Sequence, residues 1–303
     1  MRYEITSDKC NFSFNKNISP AIKVNTGDEV VFHTRDAHNG TVPEGKNVMF
    51  PDIALNECNP ITGPVYVNNA EPGDILKVKI KDIELSASGY IPARKKMGII
   101  KGLVQKNIAR NMQIKNGFIH FSPDIKVPVR PMIGTIGVVP KNNAVSSAYA
   151  GVHGGNMDNN DVRKGAIIYL PVFFEGALLS VGDVHASMGD GELTSGGVDT
   201  CAKVVLELYL VKNRKIDYPI IETEDAIVLT SNDMNFFKAN WIITRRMISL
   251  LKEYLDIESV EAYWLISICG DLKISQACNC PIGVTLRISF PKSILLAKKK
   301  KFI

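Results

Sequence analysis

Residues 74 to 85 read DILKVKIKDIEL, so that Leu76, Val78 and Ile80 alternate with Lys77, Lys79 and Lys81. A period of two gives a strand one dry face and one wet face, and a helix cannot satisfy it. Comparable segments recur through the first 230 residues: VVFHTRD, GTIGVVP, GAIIYLPVFFEGALLSVGDV and CAKVVLELYLV. They are rich in β-branched and aromatic residues and are bounded by Gly, Pro or Asn. In AEPGD, residues 70 to 74, Pro72 fixes φ and Gly73 can take the positive φ of a type II turn. Short runs with frequent turns predict packed, mostly antiparallel sheets rather than a doubly wound α/β fold.

The pattern changes after residue 230. Phe237, Trp241, Ile248, Leu251 and Leu255 fall on one apolar helical stripe, with Asn232 or Asp233 available as N-cap. A second helix is predicted from Ser259 to Gly270, its C′ residue, before VTLRISFP returns to strand. The expectation is an α+β, β-dominated, sandwich-like fold whose few helices cover one sheet face in the C-terminal third. A single unit spans 1–303: β-rich over 1–230, helical over about 232–270, with a final strand over about 283–290.

Bulk properties exclude several functions. An apolar content of 45% with 22% charged residues is that of an ordinary soluble chain. The net charge of +5 falls to +1 once the four residues Lys298 to Lys301 are set aside as a solvated tail. No basic stripe with interleaved aromatics is present, which argues against nucleic acid. No apolar run reaches the roughly 18 residues of a membrane span. Six thinly spread cysteines in 303 residues fit a reduced, cytoplasmic setting. The pair Cys278 and Cys280 is a weak metal signal beside its plain reading as small apolar residues next to a turn.

Three segments hold most of the polar chemistry: HTRDAHNGT (33–41), GVHGGNMDNNDVRKG (151–165) and SVGDVHASMGDGE (180–192). Of the five histidines, His33, His38, His153 and His185 lie within them and His120 does not. Asp36 and His38, Asn156 and Asp158, Asp183 and His185, and Asp190 and Glu192 are each two residues apart. In extended chain such pairs point to one face, as convergent metal donors must. The flanking glycines let backbone approach a ligand closely. Turn formation and surface ion pairing account for any one of these loops; a shared polar site accounts for all three.

The stretches NPITGPVYVNNAEPGDILKV, PMIGTIGVVP, GVHGGNMDNNDVRKGAIIYLPVFFEGALLSVGDVHASMGDGE and EAYWLIS together resemble the acetamidase/formamidase family, in order from about residue 27 to 291. The resemblance implies hydrolysis of a small aliphatic amide to carboxylate and ammonia. It also implies a β-rich fold, a bound metal (zinc, with calcium possible) and a homodimer or higher homo-oligomer. On that basis Asp36, His153, Asp183 and His185 are candidate metal ligands, with Asp36 ahead of His38. Glu192 is the candidate general base and acid, with Asp190 able to exchange roles with it, and Asn156 is a donor to the oxyanion. Asp158, His38 and Gly155 are assigned to supporting or substrate-binding positions. His33 and His120 are left with structural roles. The alternatives are a non-catalytic calcium-dependent binding module, a hydrolase of another C–N bond, and an acyl-enzyme route through Cys58, Cys201 or Cys269.

Overall fold

A computed structural model describes residues 1–303 apart from 143, 279–280 and 298–301. Cys280 and the Lys298–Lys301 tail lie outside the described residues. Strands hold 42% of the chain and helices 13%, the β-dominated balance that the alternation predicts.

Two large sheets carry the strands. One runs in the order Arg2–Ile5, Glu29–Thr34, Ala202–Val211, Ile75–Leu85, Ile167–Pro171, Ile220–Glu222, Ala226–Asp233, Val284–Pro291, Asp271–Gln276. Every pairing in it is antiparallel except that of Arg2–Ile5 with Glu29–Thr34. The other sheet is built around Ala177–His185, which pairs with Met132–Gly137, Ile61–Val67 and Asp199–Thr200. All nine residues of that central strand are buried.

Alternation decides what each face does. Leu76, Val78, Ile80, Ile168 and Val228 point into a common core with Ile133, Ile136, Leu179, Val181 and Val184 of the second sheet. Their neighbours Ile75, Tyr169, Ile227 and Leu229 point the other way, into a second core roofed by helix α1 (Phe236–Leu255) and helix α2 (Ser259–Cys269). The helices thus cover one sheet face, and a strand buried on both sides explains the unbroken apolar runs.

Three details of the helical region differ from the sequence reading. The N-cap of α1 is Asn235, whose side chain accepts from the Lys238 amide; Asn232 and Asp233 still belong to the preceding strand. The buried stripe is Ala239, Ile243, Met247, Leu250, Leu251, Tyr254 and Leu255. Phe237 and Trp241 are instead 79% and 60% exposed, because they lie on the opposite side of the first two turns. Gly270 ends α2 at φ −94°, so it is needed for space rather than for a left-handed cap: a Cβ there would stand 2.8 Å from the Ile266 carbonyl. The strand Asp271–Gln276, unforeseen from its mixed sequence, follows at once.

Leu251→Ala should cost about 2–5 kcal/mol in chemical denaturation, the range for an uncollapsed core cavity. Asn235→Ala should cost about 1 kcal/mol through the lost cap.

Candidate active site

The central strand and its neighbours bring three donors together. Asp183 and His185 close the strand Ala177–His185, and Asp158 follows the strand Gly154–Asn156. His185 Nε2 lies 3.5 Å from Asp158 Oδ1 and 3.8 Å from Asp183 Oδ1. Among the described residues this is the group of His, Cys, Asp and Glu able to share one ion, its donor atoms all lying within 4.8 Å of one another. Donors about 2 Å from a common centre in tetrahedral array stand about 3.4 Å apart, so the observed spacing fits. His185 Nε2 and Asp158 Oδ1 are both buried with no hydrogen-bond partner, which is what a site for a cation requires of its ligands.

Backbone conformation is part of this convergence. Asp158, Asp183 and Glu192 all adopt left-handed φ, at 44°, 54° and 47°. Such values are uncommon outside glycine and, where they occur, concentrate at functional sites. Gly134, on the adjacent strand, makes the space: a Cβ there would stand 2.6 Å from Asp158 Oδ1 and 2.9 Å from Asp183 Oδ2. Gly197 does the same for the imidazole, where a Cβ would come within 2.7 Å of His185 Nδ1.

A surrounding layer fixes the donors. Asp199 Oδ1 sits at ion-pair distance, 2.9 Å, from His185 Nδ1. Asn59 Nδ2 donates to Asp183 Oδ2 at 2.9 Å, and Thr135 Oγ1 donates to Asn156 Oδ1 at 2.7 Å. Gln276 reaches in from the edge strand of the other sheet. Its Nε2 donates to Asp158 Oδ2 at 2.6 Å and to Glu192 Oε2 at 2.5 Å, while its Oε1 has no partner. The loop carrying Glu192 is clamped to that strand by Gly191 N–H to Ser275 O and Ala277 N–H to Gly191 O.

These groups face a cavity of about 40 Å³, lined among others by Asn156, Asp183, His185, Glu192, Asp199 and Gln276. One water needs about 10–15 Å³ of such space, so this room suits a small solute. Burial pushes the Glu192 carboxyl well up, and the Asp158 charge adds to the effect against the opposing pull of His185. Burial likewise raises Asp183 to about 7, with His185 opposing and Asp158 and Asp199 reinforcing. Burial alone would depress His185, but Asp183, Asp158 and Asp199 outweigh it and hold the imidazole well above its ordinary value.

The remaining candidates sit elsewhere. Asp190 lies outside the cavity lining, held by Arg287 at 2.7 and 2.8 Å and by Asn160 at 2.7 Å, so it anchors the Glu192 loop. His153 lies outside the donor group, buried edge-on against Phe14, and burial lowers it to about 4. Gly155, at φ +80°, presses against Tyr149 O and the His153 ring. Asp36 Oδ1 accepts from Tyr90 Oη at 2.7 Å and from the His38 amide at 3.0 Å. Tyr90 Oη and His38 Nδ1 are 2.8 Å apart, and His38 Nε2 lies 2.6 Å from Arg94 Nη2, which can only donate. His38 therefore carries its proton on Nδ1, and burial followed by the Arg94 charge lowers it to about 3. Sequence spacing missed Gly134, Asp199, Gln276 and Asn59. Gly134 stood within PMIGTIGVVP, but the other three lacked any local signal. Cys58 lines the cavity, Cys201 is exposed, and Cys269 donates to Leu265 O inside α2. Burial raises the Cys58 and Cys269 thiols, away from the nucleophilic thiolate.

Solved structures resemble this chain over nearly its whole length. Its fold matches, at a TM-score of 0.95 and 36% identity, a predicted acetamidase/formamidase from Thermoanaerobacter tengcongensis, covering 100% of this chain and 99% of that one. An acetamidase from Bacillus halodurans matches at 0.92 and 30%, covering 97% and 99%. The formamidase of Methylophilus methylotrophus is 24% identical over 65% of this chain and 63% of its own length. The acetamidase of Mycolicibacterium smegmatis is 25% identical over 56% and 57%. This chain thus aligns with little more than half to two thirds of those two relatives. The family model for acetamidases and formamidases matches residues 4–150 and 141–295. With that match spread over nearly the entire sequence, the chain belongs to the acetamidase/formamidase family.

Proposed function

We propose that the protein hydrolyses a small aliphatic amide, of the formamide or acetamide type, to a carboxylate and ammonia. One observation carries the reading: Asp158, Asp183 and His185 form a buried donor group, and Asp183, His185 and Glu192 line a cavity of about 40 Å³. One imidazole with two carboxylates suits zinc, whereas calcium prefers six to eight oxygens, so the imidazole also weighs against a calcium-dependent binding module. When bound there, zinc would supply Lewis acidity, polarising the amide carbonyl and lowering the pKa of water.

The protein's own residues divide the rest of the work. Glu192, buried beside the donor group, takes a proton from the attacking water and returns it to the departing nitrogen. Gln276 Nε2 aims that carboxylate, and its unpartnered Oε1 is placed to accept from the amide NH₂. Asn156, oriented by Thr135, donates to the oxygen that becomes negative, a contact worth about 3 kcal/mol where a comparable donor has been removed. Asp199 holds the His185 ring in register. Asp190 serves the loop rather than the reaction. The site draws on residues from 59 to 276, which supports treating the whole chain as one catalytic unit.

The expected homo-oligomer has a matching surface. Phe237 and Trp241 of α1 and Val260, Tyr263, Trp264 and Ile268 of α2 are each more than half exposed, and four of the six line one groove. A contiguous apolar face of this kind on a helix pair marks an interaction site more often than bare surface. We assign this face to a second copy of the chain.

Three outcomes test these assignments. Glu192→Gln should lose ammonia release by about 10²-fold or more while metal content stays near wild type; retained turnover removes Glu192 from its role. At pH 8 and without metal, Asp183→Asn should melt several degrees above wild type, since it removes one buried like charge. Added zinc should then raise the melting temperature of wild type more than that of the variant. Trp241→Glu should shift sedimentation toward the monomer; an unchanged assembly places the interface elsewhere.

A further inference from the structure

Arg94 stands apart from the groups used so far. It lines the site cavity and also an adjoining chamber of about 290 Å³ that shares Arg94 and Met97 as wall. Its guanidinium is poorly employed. Nη2 donates to neutral His38, Nη1 points at the Met97 sulfur at 3.1 Å, and Nε is buried without a partner. Among the described residues no carboxylate forms an ion pair with it; Asp199 and Asp52 act on it only at longer range. A half-buried guanidinium whose buried Nε has no partner keeps donor capacity for an anion that comes and goes.

The reaction itself makes such an anion. Hydrolysis adds water across the C–N bond: the carbonyl carbon gains an oxygen, the nitrogen leaves as ammonia, and the acid loses a proton. A carboxylate is therefore born beside Asp158, Asp183, Glu192 and Asp199, all buried, and like charge disfavours it there. The guanidinium fork on the same wall offers paired N–H donors in the geometry that carboxylates accept. The adjoining chamber carries the Lys96–Asp52 ion pair, at 3.6 Å, and its other walls include Phe50, Pro51 and Ile53.

We propose that Arg94 is a product-binding residue, which takes up the small carboxylate released by hydrolysis and passes it through the adjoining chamber. The inference rests on the amide-hydrolase reading for the origin of the anion, but the binding site itself does not depend on turnover.

The test uses the metal-loaded protein with acetate and formate as probes, followed by calorimetry and by inhibition of ammonia release. Wild type should bind acetate and not acetone, its uncharged isostere. Arg94→Gln should weaken acetate binding about tenfold or more, with a smaller rise in KM for the neutral amide, and Arg94→Lys should recover part of the loss. Equal acetate affinity in wild type and Arg94→Gln overturns the proposal, since a carboxylate held by the ion alone is indifferent to Arg94. So does a rise in KM for the amide as large as the loss of acetate binding, which marks Arg94 as a general positioning residue. Should Arg94→Gln not fold, the acetate–acetone comparison in wild type still decides: no preference for the anion rejects the site. Arg94-dependent acetate binding without ammonia from any amide would sink the hydrolase reading and leave the anion site standing.

Discussion

Four carboxylates, those of Asp158, Asp183, Glu192 and Asp199, are buried around a single imidazole, that of His185. Water cannot solvate them and one histidine cannot neutralise them, so the group either holds protons or holds a cation. The upward displacement of Asp183, Glu192 and Asp199 expresses the first option, and the partnerless His185 Nε2 and Asp158 Oδ1 express the second. The hydrogen bonds around the site answer this one electrostatic demand. Asn59 and Gln276 donate to the carboxylate side, and Asp199 steadies the imidazole from behind.

The scaffold makes the crowding possible by giving up space and local comfort. Gly134 and Gly197 are small because carboxylate and imidazole atoms occupy the volume of their missing side chains. Three acids accept left-handed backbone so that their side chains turn toward one point, a cost of about 1–3 kcal/mol each where it is not otherwise relieved. Two extensive sheets with a shared apolar core supply the stability from which such costs are met. Rigid strands also hold the donors better than a free loop would, and the one loop that matters is locked by Arg287 through Asp190.

Much of this was legible in the sequence. Alternation in residues 74–85 and the apolar runs that follow fix strands whose two faces feed two cores, as observed. The i, i+2 pairing of Asp183 with His185 identifies two of the three donors. The same rule also pairs Asp36 with His38, and there the carboxylate accepts from its own loop and from Tyr90, outside that donor group. It undervalued Asp158, because nothing in GGNMDNND announces a left-handed turn that swings that side chain inward. Gln276 and Asp199 were invisible because their relation to the site is made wholly by tertiary pairing. The helical stripe failed for a related reason: Phe237 and Trp241 satisfy helical spacing with Leu255, but hydrophobicity alone does not say which apolar residues a sheet will cover.

The reach of Gln276 across from the opposite sheet has a temporal side. A growing chain has made Asp158, Asp183 and His185 about ninety residues before position 276 leaves the ribosome. Until then nothing separates the Asp158 and Glu192 carboxylates, and the strand that clamps the Glu192 loop does not exist. Assembly of the reaction centre therefore belongs to the finished polypeptide, and a translation product cut short within α2 would carry the acids of the site without the means to organise them.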